Sequence, residues 1–240
     1  MTMKASTGLG LTLAAALLAM GCASSGPTEN PATRTLSWIS YLSGDDLRSV
    51  CHKDGLERYR LVFNADYNQQ VRTYDVVGDP NDGGAIVHAR VIAAADLSRV
   101  DAADPIASIR GQTAETRLTP QQFGAFVLAL SETGAFEPQR DRLRLRSSGI
   151  YWLVNGCHGG RWFFSAYPYP ASRFVDIRFI ALLREIDGAG IPFPALPAPT
   201  APPPSPGRDE PGASFQMEAD RDGPVGPTHL FGPWLLADRP

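Results

Sequence analysis

Arg58-Tyr-Arg-Leu-Val-Phe63 alternates along its length, with Tyr59, Leu61 and Phe63 on one face of an extended chain. Asn64-Ala-Asp-Tyr-Asn68 supplies turn chemistry. Gln70-Val-Arg-Thr-Tyr-Asp-Val-Val77 reads as a second strand, Gly78–Gly84 as a loop and Ala85–Ile92 as a third strand, with His88 a partly exposed strand residue. Strands joined by short turns run antiparallel. Residues 93–117 read as a long surface connection. Thr119-Pro120-Gln121-Gln122 then opens a helix, because Thr119 caps, Pro120 fits the first helical position and Gln122 completes a capping box. Phe123, Phe126, Val127 and Leu130 form its apolar stripe, and Gly134 ends it.

The order repeats. Arg142-Leu-Arg-Leu-Arg146 alternates, Ser147-Ser-Gly149 turns, and Ile150–Val154 pairs with Arg161–Tyr167 across Asn155-Gly-Cys-His-Gly-Gly160, which puts Cys157 at a hairpin tip. Ser172–Ile186 reads as one amphipathic helix stopped by Gly188. The expected fold is therefore α+β: a single antiparallel sheet in a βββα-βββα order, with helices Thr119–Thr133 and Ser172–Asp187 packed on one face. Ahead of it, Ser43–Cys51 reads as a short helix with Ser43 as its cap. Asp45 and Asp46 suit its positive end, and a paired-acid reading of the two is the alternative.

Composition bounds the function. The chain has 240 residues, 43% hydrophobic and 20% charged, with a net charge of −3. That is ordinary globular usage, and it lacks the basic field that a nucleic-acid partner requires. Lys4 and Lys53 are the only lysines among 22 basic residues, a bias that accompanies abundant Ala, Gly and Pro. No Walker loop, dinucleotide fingerprint, Gly-x-Ser-x-Gly elbow or His-Glu-x-x-His occurs. No cofactor is expected, and the absence leans away from an enzyme.

The first segment is an address. Gly8-Leu-Gly-Leu-Thr-Leu-Ala-Ala-Ala-Leu-Leu-Ala-Met20 is apolar but rises only about 20 Å as a helix, short of a hydrocarbon core of about 30 Å. It fits the apolar region of a secretory signal. It leads into Leu18-Ala19-Met20-Gly21-Cys22, which resembles the lipobox of bacterial lipoproteins, with Ala19 where Leu is usual. The resemblance implies removal of residues 1–21 and a lipid on Cys22, so that the partner of the N-terminus is a membrane. Ala23 and Ser24 stand where an Asp would favour the inner membrane. The implied address is thus the outer membrane, facing the periplasm. Residues 22–36 read as a tether, 37–190 as the globular domain, which otherwise looks like uncharacterised bacterial lipoprotein domains.

With Cys22 lipidated in an oxidising compartment, Cys51 and Cys157 remain as an even pair, and a disulfide between them is expected. Two other readings stand beside it. Cys51-His52 and Cys157-His158 make a four-residue set that can bind zinc, though neighbouring side chains in a strand point to opposite faces. A Cys nucleophile with a His base is the third, the basis of a hydrolase or metal-enzyme alternative.

Two surfaces are candidates for binding. Arg142, Arg144 and Arg146, with Arg58 and Arg60, are expected on the sheet face away from the helices, as a site for an anionic ligand or as a solvated face. The dense aromatic group Tyr151, Trp152, Trp162, Phe163, Phe164, Tyr167 and Tyr169 must put half its members on that same face. Residues 191–240 form a Pro-rich stretch expected to be a disordered tail. Its apolar segment 229–236, His-Leu-Phe-Gly-Pro-Trp-Leu-Leu, is a candidate for docking an envelope partner.

Overall fold

The alternation at Arg58 produces a strand that is apolar on both sides. In β1 (Arg58–Ala65), Tyr59, Leu61 and Phe63 enter one core, and Val62 enters a second core on the reverse face. The computed structural model describes residues 39–66, 69–93, 111–139, 141–199 and 216–225. Segments 1–21 and 229–236, the whole of the tether 22–36 with Cys22, and residues 94–110 of the 93–117 connection lie outside the described residues.

The strands are β1, β2 (Gln70–Gly78), β3 (Ala85–Ala93), β4 (Gln112–Leu118), β5 (Leu143–Arg146), β6 (Ile150–His158), β7 (Arg161–Pro168), β8 (Gln216–Asp220) and β9 (Gly223–Val225). The helices are α1 (Asp45–Val50), α2 (Pro120–Glu132), α3 (Ser172–Val175) and α4 (Phe179–Ile186). The fold is α+β. A six-stranded sheet runs β4-β3-β2-β1-β6-β7, antiparallel throughout, with β1 in register against both β2 (Leu61 opposite Tyr74) and β6 (Leu61 opposite Val154).

Helices α2 and α4 cover one face. Phe126 and Leu130 of α2 and Phe179 and Leu183 of α4 pack on Tyr59, Leu61, Tyr74, Val76, Trp152 and Val154. Phe179 stands edge-on to Trp152 at 5.3 Å, and Phe63 stacks on Trp152 at 4.8 Å. Each such burial stabilises the fold by roughly 1.5–3 kcal/mol. The Thr119–Gln122 capping box forms as expected, with Gln122 N donating to Thr119 Oγ1 at 3.3 Å and the Gln122 side chain accepting from Thr119 N at 2.9 Å.

The other face is covered too, and here the structure departs from the expectation of a single sheet. β5 does not join the large sheet. It pairs with β8, which pairs with β9, in a second three-stranded sheet. Leu145, Met217 and Ala219 from this sheet, with Leu42, bury Val62, Val71, Tyr151, Leu153, Phe164 and Ala166. The tail is therefore not wholly disordered: residues 216–225 are a hairpin with its own apolar face. A large-sheet face bearing Val, Leu, Tyr and Phe has to be removed from water, and β5 alone is too narrow to do it.

Four further differences follow local physics. The order before α2 is four strands, since 112–118 is β4; its small and polar residues suit an edge strand and conceal the strand signal. Cys157 is not at a hairpin tip. β6 continues to His158, and the turn is the pair Gly159-Gly160, whose φ values of 56° and 72° are those of a two-residue hairpin loop. The expected helix 172–186 is broken into α3 and α4, because Phe174 and Phe179 are both buried and lie about 140° apart on an unbroken helix. Ser43 does not cap α1: left-handed Gly44 holds that position, and Ser43 Oγ donates to Ser40 O at 3.0 Å.

Removing the hairpin tests its role. A chain ended after Pro227 should keep the wild-type urea midpoint, whereas one ended after Gly207 should lose on the order of 3 kcal/mol or more through exposure of the Leu145–Leu153–Phe164 face.

Candidate functional site

Cys51 ends α1 and Cys157 lies in β6, and the two form a disulfide with an S–S distance of 1.94 Å and Cα atoms 5.3 Å apart. The link joins the start of the domain to its central strands. Gly156 beside it permits close strand approach, since a Cβ there would meet Arg58 O at 2.1 Å. The bridge also separates the two Cys-His pairs chemically. Both sulfurs are engaged with each other, and His158 projects from the face of β6 opposite Cys157, against Tyr59 and Phe136. Cys51, His52, Cys157 and His158 are thus not gathered into one ligand set, and neither sulfur is a thiolate.

His158 belongs to a cluster that sequence reasoning did not assemble. Glu57, just ahead of β1, accepts from the Tyr59 hydroxyl, from His158 Nδ1 at 2.9 Å and from the Gly159 amide at 2.8 Å. The Phe136 ring stacks on the imidazole at 4.1 Å, 8° from parallel. Burial raises the Glu57 pKa, but the Tyr59, Gly159 and His158 bonds outweigh it and hold the carboxyl below its ordinary 4.5. Burial, followed by its hydrogen bond to Glu57 and then the Glu57 charge, pushes the Tyr59 hydroxyl far up. A carboxylate that only accepts puts a proton on His158 Nδ1, and the imidazole side chain is 40% exposed.

Two arginines lie inside the fold. Arg60 is buried on the face away from α2 and makes a two-pronged pair with Asp46 at 2.8 Å, a bond to Asp75 at 2.6 Å and a bond to Tyr41 O at 3.0 Å. Its guanidinium also stacks 3.7 Å from the Tyr41 ring. Asp46 is therefore an ion-pair anchor, not half of an acid pair with Asp45. Burial raises the Asp46 pKa, and Arg60 more than offsets this, so it lies below its ordinary 3.8.

Arg72 is fully buried on the helix face. It bonds Gln70 Oε1 at 2.9 Å, Asp187 and Ile191 O, and lies 4.0 Å from the Phe193 ring. Tyr74 donates to the same Asp187 at 2.7 Å. The start of the Pro-rich stretch is thereby fastened to the domain, with Tyr169 donating to Pro197 O as well. Beside this anchor opens a groove of about 480 Å³ lined by Arg184, Asp187, Gly190, Ile191, Pro192 and Phe193. The signal that could have found it is Arg72's parity with Tyr74 and Val76, which places a charge on a core face.

Arg142, Arg144 and Arg146 do not face the large sheet. They project outward from the small one, where Glu218 lies 3.6 Å from Arg142 and 3.5 Å from Arg144. Arg58 stands apart from them, paired with Asp54 at 2.6 Å. The aromatic group offers no open face: Trp152, Phe163 and Tyr167 are in the helix-side core, and Tyr151 and Phe164 are in the other. Among the described residues, no group of three or more His, Cys, Asp or Glu side chains is arranged to hold a metal, and no helix is long and apolar enough to cross a membrane.

Comparison with protein-family models, curated proteins and solved structures finds no match to this chain.

Two outcomes are expected. Asp46 and Glu57 have lowered pKa values in the folded state, so they contribute stability above the ordinary values of 3.8 and 4.5, and that contribution is lost as pH falls through the lower folded values. Urea midpoints should fall as pH drops below about 4.5, and Glu57→Gln should make that fall shallower. At the other anchor, Asp187→Asn strands a buried guanidinium and should cost about 3–5 kcal/mol, whereas Arg72→Met with Asp187→Leu should cost less than the single change.

Proposed function

We propose that the chain is an exported bacterial lipoprotein: residues 1–21 are removed, Cys22 carries the lipid, and the domain from Trp38 onward is a binding or scaffolding module held at the outer membrane on its periplasmic side. The observation that carries this reading is the Cys51–Cys157 disulfide. Of three cysteines, the two inside the domain are bonded to each other, a state that belongs to an oxidising compartment. The third, Cys22, directly follows an apolar run and a small residue, where an acyl acceptor is needed. Several acyl chains anchor stably where one does not.

The tail reading narrows. Residues 191–197 and 216–225 support the domain itself, so an envelope partner that docks on the tail has 229–236 as its target. A second reading, a domain for a small anionic ligand, is favoured by the groove lined by Arg184, whose guanidinium lies 5.4 Å from the Phe193 ring, while the groove's carboxylate, Asp187, is engaged by Arg72 and Tyr74.

Intact mass of the protein extracted from its membrane, before and after reduction, tests the reading. The expected species lacks residues 1–21, carries acyl chains on Cys22, and gains one hydrogen on each of two sulfurs when reduced. A full-length, unmodified, water-soluble chain with three reactive thiols would contradict it.

A further inference from the structure

The small sheet is two-sided in a particular way. In β5, Leu143 and Leu145 point into the core while Arg144 and Arg146 point out, and Arg142 continues that outward row. Alternate residues stand about 6.8 Å apart, so the three guanidinium groups form a line. The Arg142 and Arg144 side chains are 70% and 75% exposed, against 22% for Glu218, the acid closest to them. The outward row of β8 also holds Gln216 and Asp220, and Asp220 is occupied in the β8–β9 turn by the Asp222 amide at 2.8 Å. Glu218 is recessed, Asp220 is engaged by the turn, and Asp222, 73% exposed, lies 3.5 Å from Arg221, so Arg142 and Arg144 project beyond the carboxylate that faces them. Exposed ion pairs at such distances are weak and yield readily to a better anion.

A second observation places this row on the side where the chain enters the domain. The first described residues of the domain pack on the same side of the large sheet. Leu42 shares a core with Leu145, Met217 and Ala219, and Arg48 donates to Asp222 O in the turn between β8 and β9. The chain thus enters the domain at the layer that carries the arginines, while α2 and α4 cover the far side.

We propose that the Arg142–Arg144–Arg146 row is a docking surface for anionic phospholipid headgroups of the membrane that holds Cys22. This rests on the lipid-anchor reading and adds to it an orientation: small sheet toward the bilayer, helices and the Arg184 groove away from it. Each guanidinium matches phosphate oxygens with paired N–H donors. Residues 23–36 span at most about 48 Å, so the anchor keeps the row at high local concentration near the headgroups, and a contact too weak to bind alone becomes populated.

The test uses the mature lipidated protein floated with vesicles of phosphatidylcholine alone or mixed with phosphatidylglycerol, and maps phenylglyoxal modification of each arginine by mass. Arg142, Arg144 and Arg146 should react about fivefold more slowly on the anionic vesicles, the shift expected from one arginine near such a surface. About 0.5 M salt should restore the rate. Arg184, exposed on α4 on the far side of the large sheet, is the internal control and should not change. Equal rates for the row on both vesicles overturn the inference while flotation shows the anchor intact. Failure to float overturns the anchor reading and this one with it. Protection on neutral vesicles by added polyglutamate, with none from phosphatidylglycerol, assigns the row to an acidic protein segment and also overturns it.

Discussion

A sheet that is apolar on both faces has to be covered twice, and the rest of the molecule follows from that requirement. β1 runs through the middle with Tyr59, Leu61 and Phe63 on one side and Val62 on the other. Helices α2 and α4 satisfy the first side. The second is closed by residues from both ends of the domain, Leu42 from before β1 and Met217 and Ala219 from beyond the Pro-rich stretch. The chain therefore returns after its apparent end, and the proline-rich region is a connection between structural parts at least as far as 216.

Charged anchors hold these covers in place. Arg60 fastens α1 through Asp46, and Arg72 fastens the chain after α4 through Asp187 and Ile191 O. A buried charge is tolerated only when paired, so each arginine dictates where a carboxylate must sit. The Cys51–Cys157 bridge adds a covalent link from α1 to β6 and closes a loop of 106 residues, which removes freedom chiefly from the unfolded chain. The Glu57 cluster fixes the adjoining turn through the Gly159 amide. Ends that would otherwise fray are held by side chains with few other arrangements open to them.

Locally encoded parts were legible in the sequence. Strands β1 to β3 follow from alternation, α2 follows from its capping box, and Cys51 and Cys157 are the partners expected of each other. What was missed is long-range. Gln112–Leu118 has too few large apolar residues to announce an edge strand, and Gln216–Asp220 is a strand between Leu143–Arg146 and Gly223–Val225, the first of which is distant in sequence. The break between Phe174 and Phe179 depends on what each ring meets across the core. The Glu57–His158 cluster joins residues 101 positions apart, and no local pattern records that proximity. Alternation correctly placed Arg144 and Arg146 on one face, but could not say of which sheet.

The central claim is that residues 216–225 are part of the folded domain and close its second core. Amide hydrogen exchange on the intact protein reads this directly. The Met217, Ala219 and Leu145 amides should be protected together with those of β6, exchanging only through a common opening. Exchange across 216–225 at the rate of a free peptide, with β6 still protected, would contradict the account.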